Sequence, residues 1–296
     1  MPKSISILIP TYNKVCMPLV ASLHEQAERL PHFTWEIIVA DDGSTDTATV
    51  EQNRAINGID GCRYMERKEN AGRAAIRNFL AREAKHDWLL FIDSNMTVES
   101  GDYLANYLRA EEHDVVYGGY KVDKGREDMK GNLRYIFECR ARQNSDHTLR
   151  RANPYGDFHT SNFMIRRSVM LACPFDERFR EYGYEDVLFG KTLKENNIRI
   201  THVDNTLGYD NFGGNMAFVK KTEESLRTLH RFRHELQGYS RIISWASTIE
   251  RAHAGGICRR IFPMVSLPLK ARLTGKSPSL FLFNIYKLLY YLHLGA

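Results

Sequence analysis

The sequence predicts an α/β protein: a mixed, mainly parallel sheet flanked by helices, followed by a basic helical C-terminal extension. Three observations predict it. Strand-like and helix-like segments alternate through residues 1–120, as in parallel strands joined by right-handed crossovers. The apolar run Trp88–Ile92 breaks abruptly into Asp93-Ser94-Asn95, which is how a strand buried on both faces meets the sheet edge. Charge is also uneven. Residues 218–296 hold thirteen Lys and Arg against four Asp and Glu, net +9, leaving 28 against 32, net −4, for residues 1–217.

Residues 4–9 read as the first strand, and residues 16–30 as a helix after a Thr-Tyr-Asn-Lys turn. Residues 34–42, "TWEIIVADD", form a second strand. The helix over residues 43–56 starts at Ser44 or Thr45 as N-cap, with Asp46 in its first turn. "CRYMER" is a short strand, residues 69–85 an Ala- and Arg-rich helix, residues 87–93 the fourth strand, residues 101–110 a helix and "DVVYGGY" a further strand. Beyond Tyr120 the rhythm changes. Residues 121–135 are charged loop leading into helix, residues 159–170 strand then helix, and residues 179–197 loop then helix. Residues 218–251 read as a long basic helical stretch, and Pro263, Pro268 and Pro278 as breaks between apolar-basic pieces of residues 255–296.

The composition is that of an ordinary soluble globular protein. Its five cysteines are scattered with no C-x-x-C pair, which argues against a zinc site or disulfide framework and fits a reducing compartment. The N-terminus shows no signal-peptide pattern. No histidine pair has H-E-x-x-H spacing. The basic stretch 226–236 comes with no nucleic-acid-binding motif, so no nucleic acid is expected as a partner.

In a parallel sheet the ends of "IPTYN", "VADDGSTD" and "FIDSN" lie on one edge, where open α/β sheets bind ligands. That edge gathers Thr11, Asp41, Asp42 and Asp93, with Arg73 and Arg77 one helical turn apart on the helix after "ENAG". Carboxylates suit base and ribose hydroxyls, and guanidinium groups suit a diphosphate. Taken singly, Asp-Asp-Gly-Ser-Thr-Asp reads equally as a turn and cap, and Arg77 as a salt-bridged helix residue. Their convergence describes a nucleotide pocket.

"SILIPTYN", "EIIVADDGSTD", "ENAGRAAIRN", "LLFIDSN" and "YGYEDVLFGKTL", in this order, resemble the inverting glycosyltransferases of family 2, over roughly residues 4–221. The resemblance implies the GT-A fold, a Rossmann-like arrangement. Residues 1–217 would form the catalytic domain, with a nucleotide-binding half (1–120) and an acceptor-binding half (121–217), and residues 218–296 the extension. It implies that Pro10, Thr11 and Tyr12 line the nucleobase pocket and that one of Asp41 or Asp42 contacts the base. Gly72 would let the backbone approach the nucleotide, Arg73 and Arg77 would lie near base and diphosphate, and Asp93 would face ribose and metal. Ser161 and Asn162 would stand beside the donor sugar, and His159 next to that pocket could bind substrate. Glu185 and Asp186 match the acidic pair that supplies the general base, Asp186 being the base and Glu185 its neighbour. Tyr182 and Tyr184 offer platforms for a sugar ring.

The family's Asp-x-Asp binds Mg²⁺ or Mn²⁺ through its second carboxylate, and a later His is a further ligand. Here those positions hold Asn95 and Tyr209, with His202 earlier. The substitutions leave three readings: a divalent cation held weakly by Asp93, Asn95 and the donor phosphates; Arg and Lys in its place; or loss of catalysis. The expected activity is transfer from a nucleoside-diphosphate sugar, UDP-linked by family weighting, to a glycan or lipid-linked acceptor in surface polysaccharide or glycolipid synthesis. The alternative is an impaired nucleotide-sugar-binding or scaffolding protein. The apolar-basic tail 279–294, with Arg259, Arg260, Lys270, Arg272 and Lys276 upstream, suits either an anionic membrane surface at the cytoplasmic face or a packed helix with solvated cations.

Overall fold

The structure, a computed structural model, describes residues 4–110, 113–141 and 146–295. The first third alternates as β1 (Ser4–Thr11), α1 (Met17–Glu28), β2 (Thr34–Asp41), α2 (Thr47–Arg54), β3 (Cys62–Glu66), α3 (Arg73–Glu83) and β4 (Trp88–Ile92). Next come β5 (Met96–Thr97), α4 (Tyr103–Arg109), β6 (Val115–Tyr117), β7 (Tyr120–Lys121), α5 (Leu133–Ala141), α6 (His147–Arg150), β8 (Asn162–Arg166), α7 (Arg167–Ala172), α8 (Glu185–Glu195), β9 (Ile200–His202) and β10 (Leu207–Tyr209). Four helices complete the chain: α9 (Asn215–Arg231), α10 (Arg241–Arg251), α11 (Gly255–Thr274) and α12 (Leu280–His293).

The chain groups into two compact units. Met1–Lys121, Asn144–Arg180 and Glu185–Asp210 form a sheet unit; Val122–Gln143, Glu181–Tyr184 and Asn211–Ala296 form a helical one. In the sheet unit, seven strands run β3-β2-β1-β4-β8-β6-β9, and a smaller sheet runs β5-β10-β7. The strands β3, β2, β1 and β4 are parallel, as their spacing predicts. The strand β6 does not continue that series. Antiparallel β8, from much later in the chain, lies between β4 and β6, a non-local pairing that periodicity does not encode. The run Trp88–Ile92 is buried throughout, flanked by β1 and β8, and Phe91 stacks on its register partner Phe163 at 4.9 Å.

Three local expectations are corrected. The N-cap of α2 is Asp46, which accepts from the Ala48 and Thr49 N–H groups at 3.1 and 3.4 Å. Ser44 and Thr45 are held by Asn13 instead: Ser44 Oγ accepts the Asn13 N–H at 2.6 Å, and Thr45 Oγ1 accepts from the Asn13 amide at 3.1 Å. Residues 218–251 are not one helix, because α9 ends at Arg231 and α10 starts at Arg241. Pro263 and Pro268 do not break the chain but lie inside α11. Each removes one helical hydrogen bond, and burial of Phe262 and Leu273 from the same helix offsets that loss.

The helical unit has its own core, in which Leu133, Val219, Phe262, Leu273, Phe283 and Tyr286 are buried together. Thus residues 279–294, an apolar-basic tail in the sequence, are a packed helix: Phe283, Tyr286, Tyr291 and Leu292 are buried, and the Tyr286 hydroxyl donates to Glu223. Lys287 lies over the Phe137 and Phe283 rings, and burial lowers its pKa to about 8.

Candidate active site

The site forms where β1, β2 and β4 end. Thr11 is opposite Asp41 in register, and the two loops beyond are joined by Asn13, whose Oδ1 accepts from the Thr45 and Asp46 N–H groups, both at 2.9 Å. Tyr12 is exposed beside this link. The two carboxylates of which one is expected to contact the base, Asp41 and Asp42, are both buried and partnered. Asp41 accepts from the Ser44 N–H at 2.6 Å and the Tyr64 hydroxyl at 2.7 Å. Asp42 accepts from the Ala71 and Gly72 N–H groups and from Arg67, at 3.1, 2.8 and 3.0 Å. Burial raises the Asp42 pKa against those bonds.

Asp42 therefore shapes the loop that opens α3. Gly72, at its N-cap, has φ +93°, and a Cβ there would lie 2.6 Å from the Arg180 carbonyl oxygen. Close packing on Arg180 already requires this glycine.

Arg77 is 1% exposed and is not presented to a diphosphate in the way the sequence suggests. Its Nη2 donates to Asp93 Oδ1 at 2.7 Å, and its Nη1 lies 3.5 Å from Glu185 Oε1. It thus joins the end of β4 to the first turn of α8. Arg73, one turn earlier, keeps 42% of its side chain exposed and reaches Glu185 only at 3.9 Å, so it is the more accessible guanidinium.

The acidic pair is divided by its surroundings. The Glu185 side chain is 6% exposed, and burial, then the neighbouring Asp186 charge, raise its pKa against the pull of Arg73 and Arg77. Asp186 keeps 23% of its side chain exposed. Burial pushes its pKa up, but the hydrogen bond and charge of His159, the Val187 N–H and Arg77 outweigh that and hold it below the usual carboxylate range. His159 Nδ1 lies 3.1 Å from Asp186 Oδ2, and the Val187 N–H donates to Oδ1 at 2.8 Å. The pair supplies one buried carboxyl and one accessible carboxylate; the depressed pKa keeps the accessible one ionised and free to accept a proton, but as a weaker base than an ordinary carboxylate.

Residues 6–172, more than half of the chain, match the sequence profile of Glycosyl transferase family 2. The chain belongs to that family. It is 24% identical over 238 residues to the chondroitin synthase of Pasteurella multocida (strain Pm70), covering 69% of this chain and 24% of that protein. It is 32% identical over 127 residues to the poly(ribitol-phosphate) beta-glucosyltransferase of Bacillus spizizenii (strain ATCC 23059 / NRRL B-14472 / W23), covering 41% of this chain and 20% of that one. The chain therefore spans 24% of the length of the synthase it matches. Its fold is similar to that of S. aureus TarS 1-349 in complex with UDP-GlcNAc, with TM-score 0.53 and 18% identity over 99% of this chain and 91% of that one. It is also similar to the mannosyltransferase PcManGT from Pyrobaculum calidifontis in complex with GDP-Man and Mn2+, with TM-score 0.57 and 14% identity over 98% of this chain and 85% of that one. The α/β architecture of these neighbours is the GT-A arrangement that the resemblance implies.

The two residues expected beside the donor sugar differ from each other in their surroundings. Ser161 Oγ is buried with no hydrogen-bond partner among the described residues, and the Ser161 carbonyl accepts the Asp93 N–H at 3.1 Å. Asn162 has no free amide position. Its Oδ1 accepts from the Tyr103 and Tyr107 hydroxyls at 2.6 and 2.7 Å, and its Nδ2 donates to the Gly119 and Asn205 carbonyls at 2.6 and 2.9 Å. Its side chain ties strand ends together and has no group left for a ligand.

The family's metal position is thinly furnished. Asp93 shares one oxygen with Arg77, Asn95 adds an uncharged amide, and no cluster of three or more His, Cys, Asp or Glu among the described residues could hold a metal ion. Tyr209 is buried, paired with Met96 across two strands, and packs edge-on against Tyr120. His202 is buried and turned elsewhere, bonded to Pro154 O and Arg150 Nε at 2.8 and 3.2 Å. Burial, with the nearby arginines, lowers its pKa to about 4 against the Pro154 bond, so it is neutral at neutral pH. This donor set fits a hydrated cation held mainly by a donor's own phosphates, and does not fit a protein cage.

The sequence places His159 near the donor pocket but gives no sign of its bond to Asp186. The two are 27 residues apart, and only the β8–α8 arrangement brings them together.

Proposed function

We propose that this chain transfers a sugar from a nucleoside-diphosphate donor, a UDP-sugar, to an acceptor hydroxyl with inversion, in the assembly of a surface polysaccharide or glycolipid. The observation that carries the reading is Asp186, an accessible carboxylate in the first turn of α8 held by His159 and Val187. In this mechanism the acceptor oxygen forms a bond to the anomeric carbon as the bond from that carbon to the phosphate oxygen breaks. Asp186 takes the hydroxyl proton. The nucleoside diphosphate leaves with the bonding pair, and Arg73 is the accessible cation to stabilise it. Glu185, buried against Arg77, is not open to an acceptor hydroxyl and does not compete as base.

Pro10, Thr11 and Tyr12 would line the base, with Asp41 and Asp42 acting through the loops they hold. Arg77 would hold Asp93 for the ribose, and the segment of Ser161, tied to Asp93 through its carbonyl, would stand beside the donor sugar. A bound Mg²⁺ or Mn²⁺ would be held by Asp93 and Asn95 and would supply further positive charge beside the phosphates. The UDP-GlcNAc complex of TarS and the named activities of the glycan-forming relatives support donor and acceptor class.

The test is a thermal-shift screen of UDP-, GDP- and dTDP-sugars, followed by product mass with candidate glycan acceptors. Stabilisation by a UDP-sugar and formation of a glycosylated product are expected. No stabilisation by any nucleotide sugar would remove the reading. Asn95 favours one second reading, a binding or scaffolding protein with impaired turnover; nucleotide-sugar binding without hydrolysis or transfer, with or without Mn²⁺, would select it. Asn95→Asp, adding a charged oxygen, should tighten Mn²⁺ in the presence of nucleotide. Identical manganese titrations of the two forms would show that Asn95 does not face the phosphates.

A further inference from the structure

The helix α11 is apolar on two opposite sides. One side carries Phe262 and Leu273 into the core of the helical unit. The other leaves large apolar side chains in solvent: Met264 is 78% exposed and Leu267 76%, with Ile257 and Ile261 also exposed. At helical spacing these four residues share one arc, since successive positions advance about 100°. Arg260 and Arg272 are exposed on the same arc.

A helix face that is apolar belongs against protein or lipid, yet the second apolar face of this helix lies in solvent. Helix-breaking residues do not explain the pattern, because the helix runs unbroken through both prolines. Among the described residues no helix is long and apolar enough to cross a membrane.

Charge says what covers the stripe. No acidic residue occurs after Glu250. Glu250 itself is paired with Arg259, and Lys270 is paired with Glu223 at 2.7 Å. No carboxylate among the described residues pairs with Arg260 or Arg272. A second copy meeting this face two-fold would bring its arginines against the same cationic stripe. A bilayer with anionic headgroups complements both parts: apolar side chains enter the acyl boundary, and arginines reach up to the phosphates.

We propose that the exposed face of α11, centred on Met264 and Leu267 with Arg260 and Arg272, is a docking surface for an anionic lipid bilayer. The sequence points to residues 279–294 together with the cations upstream; the first part is packed, and the exposed face lies on α11, which carries Arg259, Arg260, Lys270 and Arg272.

The proposal is independent of the catalytic reading, and its test does not measure transfer. Full-length chain is floated with vesicles of phosphatidylcholine containing phosphatidylglycerol, and with phosphatidylcholine alone, at low and high salt. Flotation with the anionic vesicles at low salt is expected. Met264→Glu/Leu267→Glu should lower vesicle affinity by about tenfold or more, since each apolar side chain loses burial. Arg260→Gln and Arg272→Gln should each lower it roughly fivefold, from about 1 kcal/mol per cation, and flatten the salt dependence. All four side chains are exposed, so thermal unfolding of the variants should match the parent. No flotation of the parent at low salt, or equal flotation of parent and Met264→Glu/Leu267→Glu, would overturn the proposal. So would a concentration-dependent dimer that the double substitution abolishes, which would give this face to a second copy.

Discussion

Asp186→Asn should reduce transfer by about two to four orders of magnitude while leaving nucleotide affinity nearly unchanged. The amide keeps the shape and the Val187 contact but cannot take the acceptor proton. Nucleotide affinity is a separate readout, because the groups assigned to the nucleotide stand at or just beyond the ends of β1, β2 and β4 and at the start of α3, whereas Asp186 lies in the first turn of α8. The pH profile is a second check. Asp186 has a depressed pKa, so its carboxylate stays ionised through mildly acidic solution, and activity should fall only as pH drops below the ordinary carboxylate value of about 4. His159→Ala removes the strongest influence lowering that pKa, and should move the acidic limb to higher pH. Near-parental transfer by Asp186→Asn would end its assignment as base.

Arg77→Met should destabilise the fold by about 3–5 kcal/mol, the usual loss when one partner of a buried ion pair is removed. The guanidinium serves two carboxylates, Asp93 at 2.7 Å and Glu185 at 3.5 Å, and lies over the Phe175 ring at 5.6 Å. Methionine retains much of the volume but leaves Asp93 without its donor and Glu185 to take up a proton. Arg77→Lys should recover only part of the loss, because one ammonium does not reproduce the fork that spans both partners. Chemical denaturation checks both variants. A loss below about 1 kcal/mol would match an exposed pair rather than this buried one.

Legibility in the sequence tracked the range of the interactions. The strands β1 to β4 and their helices are specified by runs of neighbouring residues, and their alignment at one edge comes from parallel pairing. The insertion of β8 between β4 and β6 rests on contacts across some 50 to 75 residues and leaves no periodic trace. At the site, residue types were legible but the direction of side chains was not. Arg77 has the chemistry for phosphate, yet turns to Asp93 and Glu185; Asn162 has the chemistry for a sugar hydroxyl, yet every position of its amide faces protein. Asp46 caps α2 because Asn13, from another loop, already engages Ser44 and Thr45. Pro263 and Pro268 mislead because local propensity yields to the packing of Phe262 and Leu273.

The interleaving of the two units also sets an order of events during synthesis. Leu133, on α5, is buried with Val219, Phe262, Leu273, Phe283 and Tyr286, the farthest of them more than 150 positions later in the chain. A ribosome adding about 5–20 residues per second releases α5 many seconds before its neighbours exist. The sheet unit also waits, for β9 and β10. Nascent α5 must therefore remain unpaired, or be shielded by a chaperone, until the last helix emerges. A chain cut after α10 could not close this core, so loss of function in such a truncation would report misfolding rather than a missing surface.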